Sequence, residues 1–208
     1  MQEYHKIQTV YLRDPATSYK TLLEGQFALP EFAYLADNMW FFTEKVDGTN
    51  IRVMFDGDAI AFGGKTDNAQ IPFPLERKLE GGFLPQIETF KSTFVDGICL
   101  YGEGYGEKIQ GGGKYRQDQD FVLFDINISG WWLQRADVEG IAAMLGLDVV
   151  PIIGTGTLYD MVERAKAGFT SQWGSFMAEG IVARPTCELR SRGGQRIITK
   201  IKYKDFSR

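Results

Sequence analysis

The sequence predicts an α+β domain, and three observations carry that reading. Short runs rich in Phe, Val and Ile recur along the chain, and two later stretches place apolar residues at helical spacing. The composition, 44% hydrophobic and 24% charged over 208 residues, is that of a globular protein with a core of its own. Disorder, collagen and coiled coil are thereby excluded.

Taken in order, residues 39–42 and 50–55 are apolar runs on either side of Asp47-Gly48. Phe55-Asp56-Gly57-Asp58-Ala59 carries the Asp-Gly signal of a hairpin, and 60–64 is the returning strand. Residues 98–103 and 121–126 read as further strands, the second rich in Phe and Val. The first helix, 137–145, sets Val138, Ile141, Ala142 and Leu145 at i, i+3, i+4 and i+7, and Gly146 stops it. The second, 157–167, repeats that spacing with Leu158, Met161, Val162 and Ala165, between a Thr157 cap and Gly168. A last strand, 195–203, puts Ile197, Thr199, Ile201 and Tyr203 on one face and Arg196, Ile198, Lys200 and Lys202 on the other. No repeat or linker interrupts the series, so one domain over 1–208 is expected.

Several classes fall away on composition. No apolar run approaches the roughly 18 residues of a membrane span, and the start lacks a signal-peptide pattern. Cys99 and Cys187 are too few for a disulfide framework, so a reducing cytoplasm is the expected setting. The lone His5 leaves little room for a Ser-His-Asp triad or a multi-histidine zinc site, so any metal should be held by oxygen, as magnesium or manganese is. Gly111-Gly112-Gly113-Lys114 fails as a P-loop, because the spacing is wrong and Tyr115 stands where Ser or Thr should bind magnesium. A mobile loop is expected there. The net charge is −4, yet 186–208 holds Arg190, Arg192, Arg196, Lys200, Lys202, Lys204 and Arg208 against only Glu188 and Asp205. Such a basic end on an acidic body suits local phosphate contacts or, equally, a solvated strand face. Trp131 and Trp132 fit a core or interface better than a base-stacking platform.

What remains is a series of lysines and carboxylates at strand ends. Glu44-Lys45-Val46-Asp47-Gly48-Thr49-Asn50 adjoins an aromatic run, and Glu103 follows Cys99-Leu100-Tyr101-Gly102. Phe121-Val122-Leu123-Phe124-Asp125-Ile126 comes next, then Glu179-Gly180-Ile181-Val182-Ala183-Arg184, then Lys200-Ile201-Lys202. Each alone is an ordinary turn or strand end. A lysine nucleophile needs a neutral amine, which nearby cations and partial burial favour in general. Two lysines two apart on one strand share a face.

Together and in this order the segments resemble the covalent nucleotidyltransferase superfamily, and within it the RNA ligase family of the phage RNA ligase 2 type. The resemblance spans residues 42–206. It implies an ATP-grasp-like ligase catalytic domain, with antiparallel sheets flanked by helices. It further implies an ATP-dependent RNA ligase in which Lys45 attacks ATP to give a lysyl-AMP, with magnesium or manganese, before a 3′-hydroxyl and a 5′-phosphate end are joined. Lys200 and Lys202 then act on the α-phosphate. Glu44, Asp47, Gly48, Asn50, Lys65, Glu103, Phe124 and Glu179 belong to the nucleotide site, with Phe121 competing for the stacking role. Glu179 and Glu103 are the metal candidates. Lys65 stands where relatives carry an arginine, offering a point charge in place of a fork. A GTP-dependent guanylyltransferase, a DNA ligase and a catalytically silent nucleotide-binding module remain open at this point. The resemblance also implies a nucleic-acid partner, no membrane, and a bacterial or phage-infected host cell. Relatives continue into a C-terminal OB-fold or helical domain, which the few residues after Lys202 are not expected to form, so either a minimal catalytic module or a partner chain supplying that domain is the expectation.

Overall fold

A computed structural model describes residues 3–206. Its strands and helices, in chain order, are β1 (Gln8–Thr9), β2 (Tyr11–Arg13), β3 (Leu22–Phe27), α1 (Pro30–Tyr34), β4 (Trp40–Lys45), β5 (Thr49–Phe55), β6 (Ile60–Gly63), α2 (Phe73–Phe83), α3 (Ile87–Thr93), β7 (Ile98–Gly106), β8 (Gln119–Ile128), β9 (Trp131–Trp132), α4 (Arg135–Leu145), β10 (Ile152–Gly156), α5 (Leu158–Ala167), β11 (Gly180–Pro185) and β12 (Thr199–Lys202). They fall into two compact units. Unit one comprises residues 3–5 and Asp47–Val150, and unit two comprises Lys6–Val46 and 151–206. Arg208 of the basic end lies outside the described residues.

Unit one is built on an antiparallel sheet in the order β6-β5-β7-β8-β9. The expected hairpin forms: Phe55 pairs with Ile60, Gly57 turns at φ 106°, and Asp56 Oδ1 accepts the N–H groups of Asp58 and Ala59. One sheet face contributes Ile51, Val53, Phe55, Leu100 and Leu123 to a core closed by Leu75, Leu79 and Phe83 of α2, Phe90 of α3, and Val138, Ala142 and Leu145 of α4. Helix α4 matches the expected one, with Gly146 left-handed at its end. Helix α2 has no counterpart in the sequence reading, because Pro72, Pro74, Gly81 and Gly82 look like breakers. Pro74 sits in the first turn, where no helical N–H is lost, and both glycines lie on an open side. Leu75, Leu79 and Phe83, four apart, supply the burial that holds it.

Unit two has a sheet in the order β1-β12-β11-β4-β10, antiparallel except for the β1–β12 pair, and a separate β2–β3 pair. Trp40, Phe42, Ile181, Ala183 and Ile201 pack against Phe32 of α1 and Leu158, Met161, Val162 and Ala165 of α5. Full burial of an aliphatic side chain of this size contributes about 1.5–3 kcal/mol. Thr157 caps α5 as expected, in a reciprocal box with Asp160. The last strand differs from its expected span. Only Thr199–Lys202 forms a strand, Arg196 makes an isolated antiparallel bridge with Arg190, and Tyr203 enters a 3₁₀ turn. Arg196 does not share a solvent face with the lysines; its side chain is buried and forked onto Glu188. Upstream, β4 runs three residues past the aromatic stretch, so Lys45 closes a strand and does not follow one.

Candidate active site

The centre of unit two is β11, flanked by β4 and β12, and one row of the sheet decides the site. Gly180 lies opposite Lys45 on one side and opposite Lys202 on the other. Directly opposed residues in antiparallel strands project to the same face, so both lysines rise on either side of a residue with no side chain. Glu179 reaches between them. Its Oε2 accepts from Lys45 Nζ at 2.7 Å and its Oε1 from Lys202 Nζ at 2.6 Å. Lys45 Nζ also donates to the Val46 carbonyl at 3.3 Å. Two ammonium groups share one carboxylate that is only 8% exposed, which leaves a local excess of positive charge. The Glu-Gly order follows from packing: a Cβ at 180 would stand 2.1 Å from the Ile201 carbonyl oxygen, so only glycine lets β12 close on β11. The Glu179 carbonyl then accepts the Tyr203 N–H at 2.9 Å. Lys200 lies opposite Val182 in the next row of that face, half-buried. Glu44 alternates to the other face, opposite Ile181, is 1% exposed, and accepts the Gln172 N–H at 2.8 Å. Its place is under the sheet, away from the lysine face.

In unit one, Asp47 takes the Gly111 N–H on Oδ2 at 3.1 Å and gives its own N–H to the Tyr115 hydroxyl at 3.2 Å. Gly48 packs so tightly that a Cβ would stand 2.2 Å from the Gly104 carbonyl oxygen. Asn50 and Glu103 are cross-strand neighbours on the sheet face away from the core, both partly exposed. The two phenylalanines of β8 separate clearly. Phe121 is 5% exposed, in the core, and packed edge-on against Phe83, whereas Phe124 is partly exposed beside a register shift on the opposite face. Lys65 is exposed. In the glycine stretch, Gly112–Lys114 form a 3₁₀ turn, Gly112 is buried against Gly106, and Gly111 touches Asp47.

The family profile described as RNA ligase matches residues 38–203. This chain belongs to the RNA ligase family. Its fold matches solved structures of the Naegleria gruberi RNA ligase. An alanine variant with ATP and Mn aligns at a TM-score of 0.71 with 17% identity, covering 97% of this chain and 56% of that one. An apo variant gives 0.68 and 17% over 99% and 58%, and a methionine variant with AMP and Mn gives 0.67 and 18% over 97% and 58%. At that identity the likeness establishes the fold alone, an α+β arrangement with antiparallel sheets flanked by helices. The chain spans little more than half the length of these solved relatives. Comparison with curated proteins gives no match.

The family match runs from β4 to β12, so every candidate residue lies inside it. Some neighbours of the candidates escaped the sequence reading. Arg52, two residues after Asn50 on the same strand face, is fully buried and donates Nε to the Gly64 carbonyl at 2.9 Å and Nη2 to Asp67 Oδ1 at 2.7 Å. The alternation Asn50-Ile51-Arg52-Val53 was the available signal. Tyr4 donates its hydroxyl to buried Asp125 at 2.8 Å and packs edge-on against Phe124. Nothing in the sequence marks an N-terminal tyrosine for that place. Tyr101, opposite Arg52, stays a neutral phenol because burial raises its pKa far above the usual range. Trp132 packs on Tyr101 while Trp131 is exposed. Among the described residues no group of three or more His, Cys, Asp or Glu is gathered, and no helix is long and apolar enough to cross a membrane.

Proposed function

We propose that this chain is the catalytic part of an ATP-dependent RNA ligase that works through a covalent lysyl-AMP on Lys45. The observation that carries the reading is the Lys45–Gly180–Lys202 row with Glu179 bridging both ammonium groups, in a chain of the RNA ligase family. Lys45, once its ammonium has given one proton to solvent and parted from Glu179, attacks the α-phosphorus of ATP, and Nζ gives a second proton to solvent as the N–P bond forms. The bond to the bridging oxygen breaks, pyrophosphate leaves with that electron pair, and AMP stays on Nζ as a phosphoramide. Lys202 and Lys200, on the same face, offset the charge that develops on the α-phosphoryl oxygens. In unit one, Asn50 and Glu103 present hydrogen-bonding groups for the nucleoside, Phe124 its aromatic face, and Lys65 a point charge for phosphate. AMP would then pass to a 5′-phosphate, and a 3′-hydroxyl would displace it to join the strands.

The donor chemistry fits a divalent ion of the magnesium or manganese type. Glu179 supplies a hard carboxylate oxygen within a phosphate-binding face, and such ions take one or two carboxylates and complete their shell with phosphate and water. Glu103 is the second carboxylate of the reading. When bound, the ion would screen phosphate charge.

The test is incubation with α-labelled ATP or, separately, α-labelled GTP, with magnesium or manganese, followed by denaturing electrophoresis of the parent and Lys45→Ala. Label from ATP that disappears in Lys45→Ala is expected. Label from GTP moves the chain to the guanylyltransferase branch, and retained label in Lys45→Ala refutes the assignment of the nucleophile. No label in a folded sample favours a silent binding module. Comparing 5′-phosphorylated and 5′-adenylylated nicks then tests whether this length of chain completes all steps, with faster sealing of the adenylylated nick expected.

A further inference from the structure

We infer that Arg52 and Asp67 form a clasp that positions Lys65 for the phosphates of the nucleotide, which makes Arg52 a positioning residue of the adenylylation site. The inference rests on the functional reading above. A guanidinium with no exposure to solvent, set in the middle of a sheet, is costly unless its donors are matched. Two of its donors go to the segment that carries Lys65, and they bracket it: Nε holds the Gly64 carbonyl and Nη2 holds the Asp67 carboxylate.

The rest of the segment is shaped to that grip. Gly63 pairs with Arg52 across the sheet, and a Cβ there would sit 3.1 Å from Nη2, so the glycine leaves room for the guanidinium. At 64, a Cβ would meet Ala69 Cβ at 2.8 Å, and the turn closes through the Ala69 N–H on the Thr66 carbonyl at 3.1 Å. Asp67 is 79% exposed on its side chain and turns one oxygen inward to the clasp. Between these fixed points Lys65 stands exposed, following a strand whose partner carries Asn50. A packing role alone asks for an apolar side chain at 52. A fork that fixes two points of a backbone on either side of a cation gives that cation a defined position, which a long flexible lysine otherwise lacks.

The experiment compares the parent, Lys65→Ala, Asp67→Ala, the double variant and Arg52→Lys. It reads the half-saturating ATP concentration and the maximal rate of labelling, with thermal melting alongside. Asp67 is largely exposed, so its loss should leave melting near the parent's. Lys65→Ala is expected to raise half-saturating ATP by on the order of tenfold or more, as loss of a charged hydrogen bond does. Asp67→Ala should follow in the same direction, and the double variant should be no worse than Lys65→Ala alone. Arg52→Lys, which keeps the charge and loses the fork, should resemble Asp67→Ala. Additive effects in the double variant overturn the inference, and so does a Lys65→Ala protein that labels like the parent while the ligase reading stands. A parent that takes no label overturns both.

Discussion

Substituting Gly180 by alanine tests the geometry at its tightest point. The new Cβ would lie 2.1 Å from the Ile201 carbonyl oxygen and 2.7 Å from Lys202 Cα, whereas ordinary contact begins near 3.4 Å. The β11 and β12 backbones must therefore part by about 1 Å in the row that carries Lys45 and Lys202, since backbone cannot rotate away as a side-chain tip can. Forcing a methyl group into a packed position costs about 1–3 kcal/mol. Displacing a phosphate-binding group by about 1 Å costs on the order of a hundredfold in rate, which is about 2.7 kcal/mol of barrier. Urea unfolding measures the first effect, and single-turnover labelling with α-labelled ATP, at saturating ATP and below the unfolding range, measures the second. The rate loss should remain when stability is restored by Gly81→Ala and Gly82→Ala on the open side of α2, each contributing about 0.5–1 kcal/mol. A Gly180→Ala protein as stable and as fast as the parent would refute the claim that this row places Lys202.

Other outcomes follow from the same geometry. Phe121→Ala should destabilise the protein by about 3–5 kcal/mol, while Phe124→Ala should leave unfolding near the parent and weaken ATP use; urea titration and half-saturating ATP separate them, and the reverse pattern would exchange their roles. Burial raises the Cys99 thiol above its ordinary value of 9.0, so the folded chain keeps a proton that the unfolded chain releases. Stability is then complete below pH 9 and falls as pH rises past it, with Tyr101 adding to the fall above 10, and Cys99→Ala should flatten the first part of that slope in unfolding measured against pH. Arg190 and Arg192 are exposed on the β11–β12 connection, so replacing each by Gln should lower the salt dependence of single-stranded RNA binding by about 0.7 in log–log slope. An unchanged slope would remove that segment from the nucleic-acid surface.

Much of the local structure was legible in the chain because local rules decide it. The Asp56-Gly57 turn, the Thr157 cap with its i, i+3, i+4, i+7 face, and the Gly146 stop each depend on a few neighbouring residues, and each appears as expected. The α+β class and the RNA ligase family were likewise readable, the latter from the order of Lys45, Glu103, Phe124, Glu179 and Lys200 with Lys202. Helix α2 was hidden because its prolines and glycines send the opposite local signal, and burial of Leu75, Leu79 and Phe83 outweighs it. What only the tertiary structure decided is pairing over distance. Lys45 and Glu179 meet across 134 residues of sequence, and a single register brings Lys202 to the same carboxylate. Telling partly exposed Phe124 from buried Phe121, placing Glu44 beneath the sheet, and joining Arg52 to the Lys65 segment all needed the same information. Side-chain type and spacing set which face of a strand a residue takes, but only strand order and register decide what lies opposite it, and they are fixed by packing of the whole core.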